Sequence, residues 1–250
     1  MIDLALGKRR ARRPNFGLLP RVGLSNDVVS GPCGPLVRVW AARCNTPADF
    51  SSIASVHPGI GFVRVGGATT VHLRGPQTRA TTLSCPRDAE YFGADFRLGA
   101  YLPMFPPARL AKVQDAMLPV LPDGRIVLDG RAWEMPTPQN LDVFIGRLAR
   151  AGLLAFDPLV EELGHGGAVR AVPERTAQSR FVRAVGLLRR KLHLIERARH
   201  AARLLRAGAA IADVVFDAGY YDQPHLTRAV RQLIGYTPAE LAGGGMFLDL

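Results

Sequence analysis

The stretch that most restricts the fold of this chain is IADVVFDAGYYDQPHLTRAVRQL, residues 211–233. Its apolar residues recur at the spacing of one buried face in each of two short helices. Gly219 stands between the helices, where a left-handed backbone favours glycine because no Cβ clashes there, and Asp222 is placed to cap the second helix. The pattern predicts a helix-turn-helix whose inner faces are Ile211, Val214, Val215 and Ala218 in the first helix and Leu226, Ala229, Val230 and Leu233 in the second.

The polar side chains of the second helix fall mainly on its outer side. Glutamine can pair with adenine, arginine with guanine or phosphate, and threonine with several bases, so these side chains suit a major groove. An ordinary helical corner with a solvated outer face would have the same spacing, and spacing alone does not separate the two interpretations. The candidate DNA-binding residues are Gln223, His225, Thr227, Arg228 and Arg231.

The same stretch resembles the second helix-turn-helix of AraC/XylS-type transcription regulators. The family pattern is a short helix, Ala-Gly-Tyr/Phe, Asp-Gln-x-x-Leu-x-Arg, a hydrophobic helix end, Gly and Thr/Ser-Pro. The resemblance implies a bacterial, sequence-specific regulator that binds double-stranded DNA through two such motifs. The matching residues are Ala218, Gly219, Tyr220, Asp222, Gln223, Leu226, Arg228, Gly235, Thr237 and Pro238.

A second motif lies 49 residues upstream, where PERTAQSRFVRAVGL (173–187) parallels DQPHLTRAVRQLIGY (222–236). The resemblance implies a first recognition helix over 174–185, with Arg175, Gln178, Ser179 and Arg183 as its DNA-binding residues. This motif departs from the family pattern. GGAVRAVP (166–173) leaves only about one and a half turns for the helix before the turn, and Pro173 stands where a capping serine is common.

The segment between the motifs, LRRKLHLIERARHAARLLRAG (188–208), resembles the long linker helix of the family. Its apolar side is formed by Leu192, Ile195, Ala198, Ala202 and Leu205. A helix of about 19 residues is roughly 28 Å long, which is near the ~34 Å helical turn of B-DNA. One rigid helix could therefore present two recognition helices to successive major grooves.

Basic charge concentrates in two segments of a chain whose net charge is +11. Residues 170–240 carry thirteen Lys/Arg against six Asp/Glu, and residues 1–21 carry six against one. This distribution suits a polyanionic partner, although an arginine-rich solvated surface would show it as well. The tail 1–21 is expected to be flexible, either solvated or following DNA phosphates.

Residues 35–100 have the short alternating runs of strands. LVRVW (36–40) alternates, and FVRVGGATTVHLRG (62–75) predicts a hairpin at Gly66-Gly67. In 89–100, one face carries Phe92, Ala94, Phe96 and Leu98, and Asp95 lies opposite. Helices are predicted over 107–117 and 138–151, and Asp157-Pro158 is typical of a further helix start.

The expected fold is an α+β, β-rich domain at 22–154, followed by an all-α double helix-turn-helix domain at 155–250. Residues 74–103 and 121–160 are similar to the N-terminal domain in a group of AraC-like regulators, a β-rich and degenerate cupin-like fold. That resemblance implies sensing or dimerisation. A small-molecule effector, a homodimer and a contact with RNA polymerase are the candidate partners besides DNA.

The sequence predicts no catalytic, metal or cofactor site. Cys33, Cys44 and Cys85 are scattered and indicate neither a metal site nor a disulfide framework. Cys85 in LSCPRD lacks the Pro-Cys-His-Arg context of alkyl-transfer cysteines that occur fused to AraC-like motifs, so a buried thiol is favoured. His57 and His72 are not at metal-ligand spacing from Asp or Glu.

No apolar run reaches the about eighteen residues of a membrane helix, and a cytoplasmic location is expected. The favoured function is that of an AraC-type transcription regulator. The alternative is a small-molecule-binding or catalytic N-terminal domain with a helical protein-interaction module.

Overall fold

The computed structural model describes residues 23–25, 35–113, 115–167 and 172–244. These residues form a β-rich N-terminal region followed by a helical C-terminal region, which confirms the predicted fold class. The strands are β1 (Gly23–Ser25), β2 (Leu36–Cys44), β3 (Ala48–Ser52), β4 (Gly59–Val65), β5 (Ala68–Arg74), β6 (Thr81–Cys85), β7 (Ala89–Phe96), β8 (Ala100–Tyr101), β9 (Asp115–Leu118), β10 (Ile126–Leu128), β11 (Arg131–Trp133) and β12 (Ala155–Phe156). The helices are α1 (Pro107–Val113), α2 (Leu141–Arg150), α3 (Pro158–Gly164), α4 (Glu174–Val185), α5 (Arg189–Arg206), α6 (Ile211–Asp217), α7 (Gln223–Leu233) and α8 (Pro238–Gly243). The basic tail 1–21 and Cys33 lie outside the described residues.

The main sheet has six antiparallel strands in the order β1-β2-β7-β4-β5-β9. β4 and β5 form the predicted hairpin, in which Gly66 and Gly67 have φ of 56° and 81°. Positive φ at both turn residues matches the twist of the strands, and glycine adopts it without a Cβ penalty. The cupin-like fold of the N-terminal region stays a prediction.

One apolar cluster joins this sheet to α2. The rings of Phe62 in β4 and Phe92 in β7 stack with their centroids 4.6 Å apart. α2 forms within the predicted range 138–151 and buries its predicted stripe against the sheet. That stripe consists of Leu141, Phe144, Ile145 and Leu148.

The helix predicted over 107–117 is wrong in its second half. α1 ends at Val113, and Asp115–Leu118 form β9, which pairs with β5 along the edge of the main sheet. The strand is favoured because β5 offers hydrogen-bonding partners there and because Leu118 becomes buried in the core of the sheet.

Asp95 lies opposite the apolar face of β7, as expected, but it is buried. Its carboxylate accepts hydrogen bonds from Arg38 Nε at 2.6 Å, from Arg74 Nη2 and from Trp40 Nε1 at 3.4 Å. A buried carboxylate is costly unless it is paired. Although burial alone would raise it, the guanidiniums of Arg74 and Arg38 hold the pKa of Asp95 below its ordinary value.

A second apolar cluster forms the core of the helical region, and the β-rich region completes it. Residues from α3 to α8 share this cluster with Ile53, Ala54, Val56, Leu98 and Tyr101. The helical region therefore buries part of its apolar surface against the N-terminal region. The boundary near 154 between two domains stays a prediction.

β3 and β6 form a separate two-stranded ribbon. This ribbon and its flanking residues Ala54 and Ala80 are called the arm. At its tip, the amide of Ala54 donates to the carbonyl of Leu233 at 2.7 Å, and the amide of Ala80 donates to the carbonyl of Gln232 at 2.9 Å. The last carbonyls of a helix have no partner within the helix. The arm therefore supplies donors to the end of α7.

Cys44 and Cys85 form a disulfide at the other end of the arm, so the prediction that no disulfide framework exists is wrong. Their Cα atoms are 6.3 Å apart although 41 positions separate them in the sequence. The strand register brings them together, because Cys85 pairs with Ala48 while Cys44 pairs with Ala89. Cys85 is buried at a strand end, as expected.

None of the described helices has the length and apolar composition that crossing a membrane requires. Within the same residues, no group of three or more His, Cys, Asp and Glu side chains is arranged to hold a metal ion.

Candidate nucleic-acid interface

The corner between α6 and α7 has the geometry predicted from its glycine. Gly219 has a φ of +67°, and the amide of Tyr220 donates to the carbonyl of Val215 at 2.8 Å. This bond closes a helix that ends at a left-handed glycine. Asp222 then caps α7, because its Oδ1 accepts from the backbone amide of His225 at 2.7 Å. Two short helices are thus joined by a left-handed glycine and a capping aspartate.

α7 has a buried face and an exposed polar face. Its buried residues are Leu226, Val230 and Leu233. Gln223, Arg228 and Arg231 are exposed, while His225 and Thr227 are half-buried. The candidate DNA-binding residues of α7 therefore lie on the accessible side of the helix or at its margin.

Two of these candidates also bond to their own helix end or turn. Thr227 Oγ1 donates to the carbonyl of Gln223 at 2.9 Å. Arg231 Nη1 donates to the carbonyl of Gly235 at 3.1 Å and to Glu240 Oε2 at 3.2 Å. These contacts give both side chains a structural role beside any contact with DNA.

A guanidinium from α5 holds the corner in place. Arg197 Nη1 donates to the carbonyl of Gly219 at 3.2 Å, and its guanidinium carbon lies 4.5 Å from the ring centroid of Tyr220. The ring of His225 packs edge-on against Tyr220 at 5.1 Å. Burial raises the pKa of Tyr220, and Arg197 offsets part of that rise. The motif is therefore fastened to the linker helix by a cation–π contact and a hydrogen bond.

The first recognition helix, α4, has the bounds that the sequence predicts. It exposes all four candidate residues, Arg175, Gln178, Ser179 and Arg183. Pro173 stands at its start and makes no side-chain cap. The short helix expected within 166–173 falls on residues 168–171, which lie outside the described part of the chain.

α4 is held to α3 by a two-bond ion pair. Arg180 Nε donates to Asp157 Oδ2 at 2.8 Å, and Arg180 Nη2 donates to Asp157 Oδ1 at 2.6 Å. Asp157 precedes α3 as predicted, but its side chain bonds to Arg180 and does not cap the helix. A paired, two-bond geometry fixes direction as well as distance, so the ion pair orients α4.

α5 connects the two motifs as the predicted linker helix. Its 18 residues correspond to about 27 Å at 1.5 Å per residue. The predicted apolar side, Leu192, Ile195, Ala198, Ala202 and Leu205, is buried.

Both recognition helices end at a left-handed glycine that contacts the N-terminal region. Gly186 after α4 and Gly235 after α7 have φ of 79° and 93°. A Cβ on Gly186 would lie 2.7 Å from the carbonyl carbon of Pro107, and one on Gly235 would lie 2.6 Å from Ser51 Oγ. The 49-residue sequence repeat is therefore also a structural repeat of a helix, a left-handed glycine and a contact with the β-rich region.

Several residues of this surface were not predicted from the sequence. Phe216 and Tyr221, on either side of the corner, are 86% and 91% exposed, and nothing in the helical spacing marked them. Arg197 belongs to no sequence motif that would mark it as a contact of the glycine corner. The capping box of α8 was readable as Thr-x-x-Glu: Glu240 Oε2 accepts from the amide of Thr237 at 2.7 Å, and Thr237 Oγ1 accepts from the amide of Glu240 at 3.2 Å.

The family comparison agrees with this geometry. A family model described as a helix-turn-helix domain matches residues 168–243. Among solved structures, an apo variant of ToxT from Vibrio cholerae strain SCE256 is similar at 10% sequence identity and a TM-score of 0.42, over 82% of this chain and 96% of that chain. No curated protein matches.

The family match covers α4 to α8, the same elements that form the two recognition helices, their linker helix and the glycine corner. Residues 168–243 of the chain are a helix-turn-helix domain.

Proposed function

We propose that this chain is an AraC-type DNA-binding transcription regulator that reads its operator with α4 and α7 in successive major grooves on one side of the duplex. The observation that carries the proposal is the repeat itself. Two helices with exposed polar faces stand at the two ends of the 18-residue α5, and each ends at a left-handed glycine. A linker of about 27 Å suits grooves that recur every ~34 Å along B-DNA.

In this proposal the exposed residues of each helix have distinct roles. Gln223 and Arg228 read base edges from α7, because amide and guanidinium groups can form paired hydrogen bonds with adenine and guanine. Arg231, already bonded to Glu240, contacts phosphate, and Thr227 and His225 lie at the margin of the groove. Arg175, Gln178, Ser179 and Arg183 form the reading face of α4.

The proposal is tested by selecting operator sequences from genomic fragments with the full chain and then measuring affinity against salt. Neutralised phosphates give a slope of about −0.9 each in log affinity against log salt. We expect a steep slope for any duplex and a separate, sequence-dependent gain for the operator. Gln223→Ala should lose that gain, whereas Gln139→Ala, at an exposed position outside the helix-turn-helix domain, should keep it.

A folded chain that shows no salt-dependent duplex binding would overturn the proposal. It would favour the alternative, in which the helical region contacts a protein and the N-terminal region binds a small molecule or catalyses a reaction. A variant Gln139→Ala as defective as Gln223→Ala would show that the loss at Gln223 is not specific to the recognition helix.

We further propose that the β-rich region, residues 22–154, senses a small-molecule effector or forms a homodimer, and that residues 155–250 bind DNA and contact RNA polymerase. Catalytic turnover is not expected from this chain. The expected place of action is the bacterial cytoplasm, where the chromosome is accessible.

A further inference from the structure

We propose that Cys44 and Cys85 are a reversible thiol–disulfide site that controls operator affinity by fixing the arm against the second recognition helix. The inference rests on the proposed function, since it concerns how firmly α7 is supported when it reads DNA. It adds a redox input to the protein, at two cysteines that lie 41 positions apart in the sequence and outside the helix-turn-helix domain.

The arm connects the cysteine pair to the end of α7. At its base Cys85 pairs with Ala48, and at its tip Ser52 pairs with Thr81. Five residues of strand span about 17 Å. Ala54 follows Ser52 by two residues, and Ala80 immediately precedes Thr81. The backbone amides of Ala54 and Ala80 donate to the last carbonyls of α7.

Among the described strands, β3 and β6 pair only with each other. The position of the arm therefore depends on its two ends. The tip is held by the contacts with α7 and by Gly235, which lies against Ser51 and Ala80. The base is held by the disulfide, by the amide of Asp88, which donates to the carbonyl of Cys44 at 2.7 Å, and by the pairing of Cys44 with Ala89 at the end of β2. The ring of Phe50 in β3 also contacts the ring of Tyr91 in β7.

The cysteines belong to a small cluster of their own. Cys44, Cys85 and Ala89 are its buried members, with Phe50 and Tyr91 packed against them. The two large apolar clusters contain none of these residues. Local opening of a small cluster costs much less than global unfolding, so a thiol reagent can reach the sulfurs while the rest of the protein stays folded.

The chemistry is thiol–disulfide exchange with a low-molecular-weight disulfide. One cysteine thiolate attacks a sulfur of the reagent and releases the first small thiol. The second cysteine then attacks the mixed disulfide, forms the Cys44–Cys85 bond and releases the second small thiol. The two cysteines lose two electrons and two protons in total, and the reagent leaves as two thiols; reduction is the reverse.

The disulfide state is the state of higher operator affinity. The bond closes the chain segment that contains both arm strands, so it restricts their motion, and the tip keeps its donors on the last turn of α7. The arm contacts the C-terminal end of α7, whereas the exposed Gln223 stands at the N-terminal end. The arm therefore supports the helix without covering its reading face.

The test titrates the full chain in glutathione buffers of stepped ratio. Each sample is split between maleimide alkylation, which counts free thiols by mass, and binding to the selected operator. We expect the two thiols and the operator affinity to change at the same ratio, with the reduced protein binding about five- to tenfold more weakly, the range of a modest coupling between sites. The variant Cys33→Ser should respond in the same way.

The double variant Cys44→Ala/Cys85→Ala should bind like the reduced protein at every ratio. Alanine suits the apolar cluster, because it buries no hydroxyl. Ala80→Pro removes one arm-tip donor and leaves the cysteines in place. It should bind weakly in both redox states and lose most of the redox response, although its thiols still titrate.

Equal operator affinity in the oxidised and reduced protein, with thiol counts confirming both states, would overturn the inference and leave the proposed function intact. A full redox response in Ala80→Pro or in the double cysteine variant would also overturn it, as would a pair that no glutathione ratio reduces. Loss of duplex binding in both states would instead overturn the proposed function, and this inference with it.

Discussion

Replacing Gly186 by alanine tests how tightly the first recognition helix is seated on the N-terminal region. Gly186 and Gly208 have φ of 79° and 90°, so alanine at either position meets a left-handed penalty of about 1–2 kcal/mol. A Cβ at Gly208 has open space around it, whereas at Gly186 it would lie 2.7 to 2.9 Å from backbone atoms of Pro107 and Ala108. Those atoms move only if α1 shifts, and such overpacking adds about 1–3 kcal/mol. We expect Gly186→Ala to lower the free energy of unfolding by about 2–5 kcal/mol in total.

The assay is urea unfolding of the full chain, with Gly208→Ala as the matched control. The control should lose only the left-handed penalty. Gly235→Ala should fall between the two, because its Cβ would meet Ser51 Oγ at 2.6 Å, which can rotate away, and Ala80 Cβ at 3.1 Å, rather than backbone atoms. Equal losses of unfolding free energy in Gly186→Ala and Gly208→Ala, with the slope of that free energy against urea concentration unchanged, would refute the reasoning. They would mean that the end of α4 does not pack against α1.

The reading face of α7, the disulfide and the buried His57 each have a measurable consequence. Arg228→Ala should weaken the free energy of operator binding by about 1–3 kcal/mol and relax discrimination at one base pair, whereas Gln223→Ala should weaken binding to the operator but not to random duplex. A loss in Arg228→Ala that is equal for all sequences, with a shallower salt dependence of affinity, would assign Arg228 to a phosphate contact. Reducing the Cys44–Cys85 bond, which closes 41 positions, should lower the free energy of unfolding by about 4 kcal/mol on the chain-entropy estimate, measured in urea with and without reductant. Burial lowers the pKa of His57 from 6.5, although Asp95 opposes this shift. As the pH falls, the unfolded chain therefore takes up a proton at this residue before the folded chain does, so the free energy of unfolding should fall below pH 6.5. His57→Gln should remove that part of the pH dependence.

The helices of the helix-turn-helix domain were predictable because local pattern and tertiary packing favour the same structure there. The apolar stripe of α5, the glycine at 219 and the cap at Asp222 are each readable within a few residues. The hairpin at Gly66-Gly67 was predictable for the same reason, since its turn requires glycine at two adjacent positions. The exposed candidates on α4 and α7 follow from these helices, because a helix with one buried stripe must expose the rest.

The features that were not predictable depend on register between distant strands. β9 replaces the end of a predicted helix because β5 offers it an edge, and nothing within 107–117 encodes that edge. Cys44 and Cys85 meet only through the pairings of β2 with β7 and β3 with β6. Asp95 looks like an ordinary polar strand residue until Arg38 and Arg74 are brought to it from two other strands.

The contacts of Gly186 and Gly235 show why the β-rich region cannot be treated as a separate attachment to the reading helices. Residues 155–245 contain both recognition helices, yet they lack Ile53, Ala54 and Val56 from the shared apolar cluster, as well as the two arm amides that reach α7. A change in the position of the arm or of α1 therefore acts directly on the end of a recognition helix. For the proposed function, a signal received by the N-terminal region needs no separate relay to α4 and α7, because each helix is already in contact with that region.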